Sequence, residues 1–404
     1  LLLGARPASA EPARPLPSPL HLRDALSLAR QSRAEIAAAR ARATAAAQVP
    51  RVVSALPDPM VMLSVDHLPI RLDGINGSLQ FQQDFPLSGV LRARRRVAEA
   101  EASAVATEVG SVTLDVEQQV VASFLMVVEQ QRMLALLEEL TSLSQQTLSL
   151  SKARLQAGEN GTGDVFRSQI EVARFDAEVK ATQADLRAAS AMLEAALGQP
   201  VSGEVVLCEL STPTRAPPTL SELVGAASEA RPELRAARTR ISRASAGVDA
   251  MRSMYWPMAF LRFGGARTMQ DGPGVMLMAG VSLPIWRDRL HAGVDEASAM
   301  KAMAEHEVRA MSRMIEGEVA SSRETLAAAH VRWSTARERL VPLARRALSL
   351  MVASYAGGQV PLVSVLDALR SLREARMQEI SAEIRLNLAW LKLGRATGKI
   401  EVGP

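Results

Sequence analysis

The sequence predicts a mainly α-helical chain carrying a small four-stranded sheet, built from one structural unit that occurs twice in tandem. Three observations predict it. Aromatic residues are only 3% of the 404 residues, while Ala and Leu abound and Arg supplies nearly all the positive charge, a mixture typical of long packed helices. Sequence features recur at a fixed spacing: Pro59 and Pro257 lie 198 residues apart, as do Pro86 and Pro284. Apolar residues also step by three and four through stretches much longer than an ordinary globular helix.

Composition narrows the function classes. With 48% apolar residues the chain can bury a sizeable core, and its net charge of +4 comes from Arg interleaved with Glu and Asp, the pattern of solvated helix surfaces and not of a nucleic-acid patch. The lone Cys208 excludes an internal disulfide and any paired-cysteine metal site. Five scattered His residues, no Gly-x-Ser-x-Gly and no phosphate loop leave no catalytic constellation, so no enzyme, cofactor or resident metal is expected. Leu1 to Leu3 followed by Ala8-Ser9-Ala10 read as a signal-peptide remnant over 1–10, which implies export. No later run of about eighteen apolar residues is evident, so a membrane crossing is expected to use strands.

The repeat continues beyond the prolines. Glu35-Ile36-Ala37-Ala38-Ala39-Arg40 matches Glu233-Leu234-Arg235-Ala236-Ala237-Arg238, and Phe85-Pro86-Leu87 matches Leu283-Pro284-Ile285. Gly158 matches Gly358, and each half is read as closing on Leu-Gly, at Leu197-Gly198 and Leu393-Gly394. The units are thus 11–198 and 220–398, with a Pro- and Ser-rich linker at 199–219 and a tail at 399–404.

In each unit, Ala- and Arg-rich amphipathic helices come first, at 20–49 and 219–254, each halted near a proline. Strand-type alternation follows, at 59–68 and 78–86 around Asp73-Gly74-Ile75-Asn76-Gly77, then at 258–267 and 275–283 around Gln270-Asp271-Gly272-Pro273-Gly274. Coiled hairpins complete the units, at 90–197 with its tip at 157–163 and at 288–394 with its tip at 357–361. Val105, Val109, Val112, Val116, Val120, Phe124 and Val127 mark a seam in the first. A helix over 90–156 reaches on the order of 100 Å at 1.5 Å per residue.

Four strands cannot close a barrel in lipid, where every unpaired backbone group costs several kcal/mol. Three identical chains around an axis would pair their edges and give twelve strands, so a homotrimer is expected.

The order helix, hairpin, long helix, Gly turn and returning helix, duplicated once over residues 20–398, resembles the TolC-like outer-membrane efflux channel family. The resemblance is carried by Phe85-Pro86-Leu87 with Leu283-Pro284-Ile285, by Arg154-Leu155-Gln156-Ala157-Gly158 before Asp164-Val165, and by Tyr355-Ala356-Gly357-Gly358 before Val365-Leu366-Asp367-Ala368. It implies a passive trimeric conduit in the bacterial outer membrane, a twelve-stranded barrel continuous with a periplasmic α-helical tunnel. Its implied partners are a periplasmic adaptor, or membrane fusion protein, and an inner-membrane RND-type pump. By match to the family's gate pattern, Asp367 faces the pore as a ring of carboxylates, while Tyr355 and Asp164 link neighbouring coils. Arg154, Gly158, Gly163, Gly357 and Gly358 fall at the adaptor-contacting tips. Ser364 and Val360 depart from that pattern and weaken the implied links.

Two further features have bland counterparts. Arg92, Arg94, Arg95 and Arg96, with Arg287 and Arg289, follow the two hairpins, where anionic lipid headgroups could hold them, although a plain exposed face gives the same sequence. Met60, Met62, Met251, Met254, Met258, Met276 and Met278 are soft ligands suited to Cu(I) or Ag(I), yet Met more often fills irregular apolar space, and no metal site is assigned. Leu56-Pro57-Asp58-Pro59 is similar to family members serving heavy-metal efflux, so heavy-metal cations are the expected cargo and organic solutes the alternative. A periplasmic adaptor or a coiled-coil scaffold is the rival from another class; an adaptor would carry one hairpin flanked by β-domains.

Overall fold

The computed structural model describes residues 20–67, 76–199, 218–268 and 272–400. The signal remnant, residues 200–217 of the linker with Cys208, the turn residues 68–75 and 269–271, and the tail from 401 lie outside them. The chain is mostly helical with one four-stranded antiparallel sheet, in the order α1 (Leu22–Ser32), α2 (Ala34–Ala46), α3 (Val49–Val53), β1 (Met60–His67), β2 (Asn76–Pro86), α4 (Val90–Gln156) and α5 (Thr162–Leu197). The second half gives α6 (Leu220–Ala230), α7 (Pro232–Ser253), β3 (Met258–Thr268), β4 (Gly272–Ser282), α8 (Arg287–Thr335), a π-helical turn (Ala336–Leu340), α9 (Val341–Ala356) and α10 (Leu362–Thr397). The residues cluster into two compact units.

One unit comprises Ala38–Ser111 and Pro232–Met314 and holds the sheet. Strand order is β1-β2-β3-β4, so β2 and β3, from different halves, pair at its centre. β4 starts at Gly272, earlier than the expected 275, because Gly272 takes φ +75° and Pro273 is tolerated on an edge strand. Below the sheet α4 and α7 pack through small side chains, and the missing Cβ of Gly110 leaves room for Pro232. Arg240–Glu108 (3.0 Å), Arg243–Glu101 (3.2 Å) and Arg96–Asp249 (3.3 Å) join the two helices.

The other unit comprises Leu1–Ala37, Val112–Arg231 and Ile315–Pro404. One apolar cluster joins Ala25, Leu26 and Ile36 to Val116, Val120, Phe124, Val127, Leu193, Leu197 and Ile384. A second gathers Leu136, Leu140, Phe175, Tyr355, Leu362, Val365 and Leu369. Within the expected seam of α4, Val105, Val116, Val120, Phe124 and Val127 are buried, and Val109 and Val112 are half-buried.

Four expectations need correction. The opening helices are each broken. Arg33 and Arg231 have extended backbone, with ψ 123° and 118°. At Arg231 the cause is Pro232, which disfavours a helical residue before it. At Arg33 no proline follows. Instead its guanidinium donates to the Ala195 carbonyl and Ser32 Oγ to the Leu197 carbonyl, capping the end of α5.

The second long helix, expected at 288–356, passes through the π-helical turn, where Val341 N–H reaches the Ala336 carbonyl. Pro342 has no N–H and its ring crowds the carbonyl four residues back, so the helix relieves the conflict by widening one turn. The second half also closes at Gly398 and not at Leu393-Gly394. Gly398 has φ +82° and Gly198 has φ +76°, each ending its returning helix, whereas Gly394 is helical. A Cβ on Gly394 would stand 2.8 Å from the Lys399 carbonyl oxygen, which explains that glycine. Finally, α4 does contain a stretch long and apolar enough to cross a membrane. Half of that stretch is buried, and Val116, Val120, Val121, Phe124, Leu125, Val127 and Val128 of α4 pack in the first cluster.

Candidate functional site

The two Gly turns have the same hydrogen bonding, 200 residues apart. Glu159 N–H donates to Arg154 O and Gln359 N–H to Ser354 O, both at 2.9 Å; Gly158 N–H donates to Leu155 O and Gly358 N–H to Tyr355 O, both at 3.0 Å. Gly158 and Gly358 have φ +74° and +73°, a conformation costly for any residue with a Cβ. The helices restart beyond Gly161 and Pro361, with Asp164 N–H on Gly161 O and Ser364 N–H on Pro361 O.

Tyr355 joins the two turns inside one chain. Its ring is 1% exposed, Asn160 Nδ2 donates to its hydroxyl at 3.1 Å, and the hydroxyl reaches Ser151 Oγ at 3.5 Å. Arg154 stacks on the ring at 4.6 Å, donates to the Tyr355 carbonyl and pairs with Glu159 at 3.2 Å. Arg154 is therefore largely spent within the chain, its side chain 12% exposed. Asp164 pairs with Arg167 at 3.6 Å. Gly158 and Gly163 have open space around them, and Gly357 follows the last turn of α9.

Asp367 stands on α10 with its side chain 64% exposed, 3.6 Å from Arg370. Arg370 reaches on to Glu171 of α5 at 3.1 Å, and Arg174 approaches the same carboxylate at 3.4 Å. The Glu171 side chain is only 3% exposed. Its hydrogen bond and charge, with a smaller contribution from Asp367, hold the Arg370 guanidinium above its ordinary pKa. Sequence reasoning missed Glu171: a carboxylate in a helical run of mixed charge gives no sign of burial.

The sheet has two unlike faces. Val61, Leu63, Val65, Leu79, Phe81, Leu261, Phe263, Val275, Leu277 and Val281 share one, by the registers Val61↔Phe81↔Phe263↔Leu277 and Leu63↔Leu79↔Gly265↔Val275. Most of these side chains are exposed, Val275 at 97% and Leu277 at 81%. A continuous apolar area of this kind marks a surface made for something other than water. The opposite face carries Ser64 on Ser78 (2.8 Å), Gln80 on Ser78 (2.8 Å) and Arg262 on Gln82 (3.0 Å).

At the helix-bearing end of the sheet, Trp256 and Trp286 are 65% and 69% exposed, and neither was singled out from the sequence. The signal was available: interfacial Trp beside the first and last residues of a strand pair. Arg92, Arg94, Arg95, Arg96, Arg287 and Arg289 are all exposed there; Arg95 pairs with Glu99 at 2.8 Å and Arg287 lies over Tyr255 at 5.7 Å. No group of three or more His, Cys, Asp or Glu that could hold a metal occurs among the described residues.

A wall segment with one lipid-compatible face and one polar face, joined in a single chain to long helical hairpins, defines a subunit of a membrane export channel. The chain belongs to the outer membrane efflux protein family, whose model matches residues 25–199 and 223–399. It is accordingly an efflux channel protein of the bacterial outer membrane and not an enzyme. It is similar to the cobalt-zinc-cadmium resistance protein CzcC of Cupriavidus metallidurans, 24% identical over 89% of this chain and 85% of that one. It is 26% identical to the pyoverdine export outer membrane protein OpmQ of Pseudomonas putida over 63% of this chain, a match spanning 56% of OpmQ. The outer-membrane channel OprN shares the fold, with a TM-score of 0.80 at 18% identity over 93% of this chain and 89% of that one.

Proposed function

We propose that three copies of the chain close a twelve-stranded barrel and continue it as a helical conduit that carries heavy-metal cations out of the cell, driven by an inner-membrane pump and joined to it by a periplasmic adaptor at the Gly turns. The observation that carries the reading is the four-stranded sheet: its apolar face suits lipid, and β1 and β4 are edge strands that copies of the chain can pair. Trp256, Trp286 and the six arginines lie where headgroups would meet the wall. Twofold units of 11–198 and 220–398 supply two coiled hairpins per copy. Asp367 is the pore-facing gate carboxylate, with Tyr355 and Asp164 linking neighbouring coils. The likeness to CzcC along most of the chain favours metal cations as cargo. The likeness to OpmQ supports the second reading, an organic solute such as a siderophore.

Deleting residues 258–283 tests closure: trimers should vanish, and recovery of stable trimers from the deletion would refute the barrel. Asp367→Ala should alter divalent-cation blockade in planar-bilayer recordings, and an unchanged response removes Asp367 from the gate. Cargo is decided by restoring the gene to a knockout strain and measuring retained Co, Zn and Cd; no change in metal retention would favour the organic solute.

A further inference from the structure

Five methionines lie in the sheet: Met60 and Met62 on β1, Met258 on β3, and Met276 and Met278 on β4. Register puts all five on one face. Met60 is in line with Gln82, Arg262 and Met278, and Met62 with Gln80, Gly264 and Met276. That face is the polar one, with Ser64, Ser78, Gln80, Gln82 and Arg262. Methionine used as apolar filler would belong with the valines and leucines of the other face, which holds none among the described residues.

The four edge-strand methionines form Met-x-Met twice, Met60-Val61-Met62 and Met276-Leu277-Met278. Two residues along a strand place same-face side chains about 7 Å apart. The flexible stems of both let two sulfurs close on one ion. Thioethers are uncharged and soft, and they select Cu(I) and Ag(I) over harder divalent cations. Arg262, the one cation in their row, gives its guanidinium to Gln82 on β2, away from β4.

We propose that Met60 with Met62, and Met276 with Met278, are two thioether clamps for a soft monovalent cation on the lumen face of the barrel. The proposal rests on the channel reading, which makes the polar face the lumen. Two linked neutral ligands hold an ion more firmly than one thioether yet release it, as a conduit requires, since a passing ion must leave as well as enter.

The test uses the purified trimer in nanodiscs, labelled with methyl-13C methionine and titrated with Ag(I), with the exposed Met192 of α5 as internal reference. The resonances of Met60, Met62, Met276 and Met278 should move at Ag(I) concentrations about tenfold lower than that of Met192, because two linked ligands act at high effective concentration. M60L/M62L should halve the tight Ag(I) stoichiometry of two per chain, and adding M276L/M278L should abolish it. Zn(II) should move none of the four. Unmoved resonances, or tight Ag(I) stoichiometry unchanged in the fourfold variant, overturn the clamps. Conductance and trimer size measured on the same sample separate the two readings: a conducting trimer indifferent to Ag(I) sinks only the clamps, whereas a wild-type protein that neither trimerises nor conducts sinks the channel.

Discussion

Arg231→Ala should loosen the end of the last helix far more than an ordinary surface substitution. The Arg231 side chain is 5% exposed and donates to the carbonyls of Arg395 and Ala396 at 3.1 and 3.3 Å while pairing with Glu318 at 2.9 Å. Hydrogen bonds from a charged donor contribute roughly 1.5–3 kcal/mol each and do not add fully. Glu318 is 40% exposed and regains water, so the severe cost of stranding a buried charge does not apply to it. The net loss is about 3 kcal/mol, which corresponds to roughly a hundredfold fall in hydrogen-exchange protection where local opening governs exchange. The amides to watch are Gly398 and Lys399, whose N–H groups donate to Arg395 and Gly394 in the turn that Arg231 supports. Arg231→Lys keeps the charge but cannot span two carbonyls and a carboxylate, and should recover about half of the loss. Unchanged protection at residues 398–399 in the Ala variant, or full recovery by Lys, would refute the capping role.

Gly398→Ala should cost about 2 kcal/mol or more, because positive φ costs about 1 kcal/mol and the new Cβ would meet the Ala230 carbonyl carbon at 2.9 Å. Gly158→Ala, with nothing within 4 Å, should cost only about 1 kcal/mol, and equal shifts in denaturation midpoint for the two variants would contradict this. Glu171→Gln should lower the melting temperature modestly, by about 1 kcal/mol of stability, since Arg370 is 46% exposed and water screens much of the pair; a melting temperature at or above wild type would refute it. A cation with a raised folded pKa contributes stability that is complete below its ordinary value and lost only above it, so the gap between wild type and Glu171→Gln should not narrow when pH rises from neutral to about 10.

The long helices and the four strands were legible because their signals are periodic and strong: steps of three and four through Val116, Val120 and Phe124, and alternation through Val61, Leu63 and Val65. Local exceptions were legible only where a breaker residue announces them. Pro342 could have been read as the cause of the π-helical turn, because the first half has Ser142 at the corresponding 200-residue offset and runs on as regular helix. Arg33 could not. It is followed by Ala34 in a run that favours helix, and its break exists because a distant helix end offers carbonyls to its guanidinium. Gly394 and Gly398 show the same limit from the other side: both are glycines at a helix end, and only the positive φ of Gly398 separates the terminator from a close-packing site.

The same distinction explains why the candidate site was harder to read than the fold. Asp367 and Asp164 could be picked out by matching a pattern, but the charge a passing ion meets depends on partners the pattern does not name. Asp367 shares Arg370 with Glu171, which is nearly dehydrated and is therefore the stronger holder of that guanidinium. The pairing geometry agrees, 3.1 Å to Glu171 against 3.6 Å to Asp367. Removing Glu171 would leave Arg370 to Asp367 alone and weaken the field of the proposed gate carboxylate, whereas removing Arg370 would strengthen it. Arg370→Gln should thus deepen divalent-cation blockade in bilayer recordings while Glu171→Gln makes it shallower, and movement of both in the same direction would break the link between this buried carboxylate and the pore.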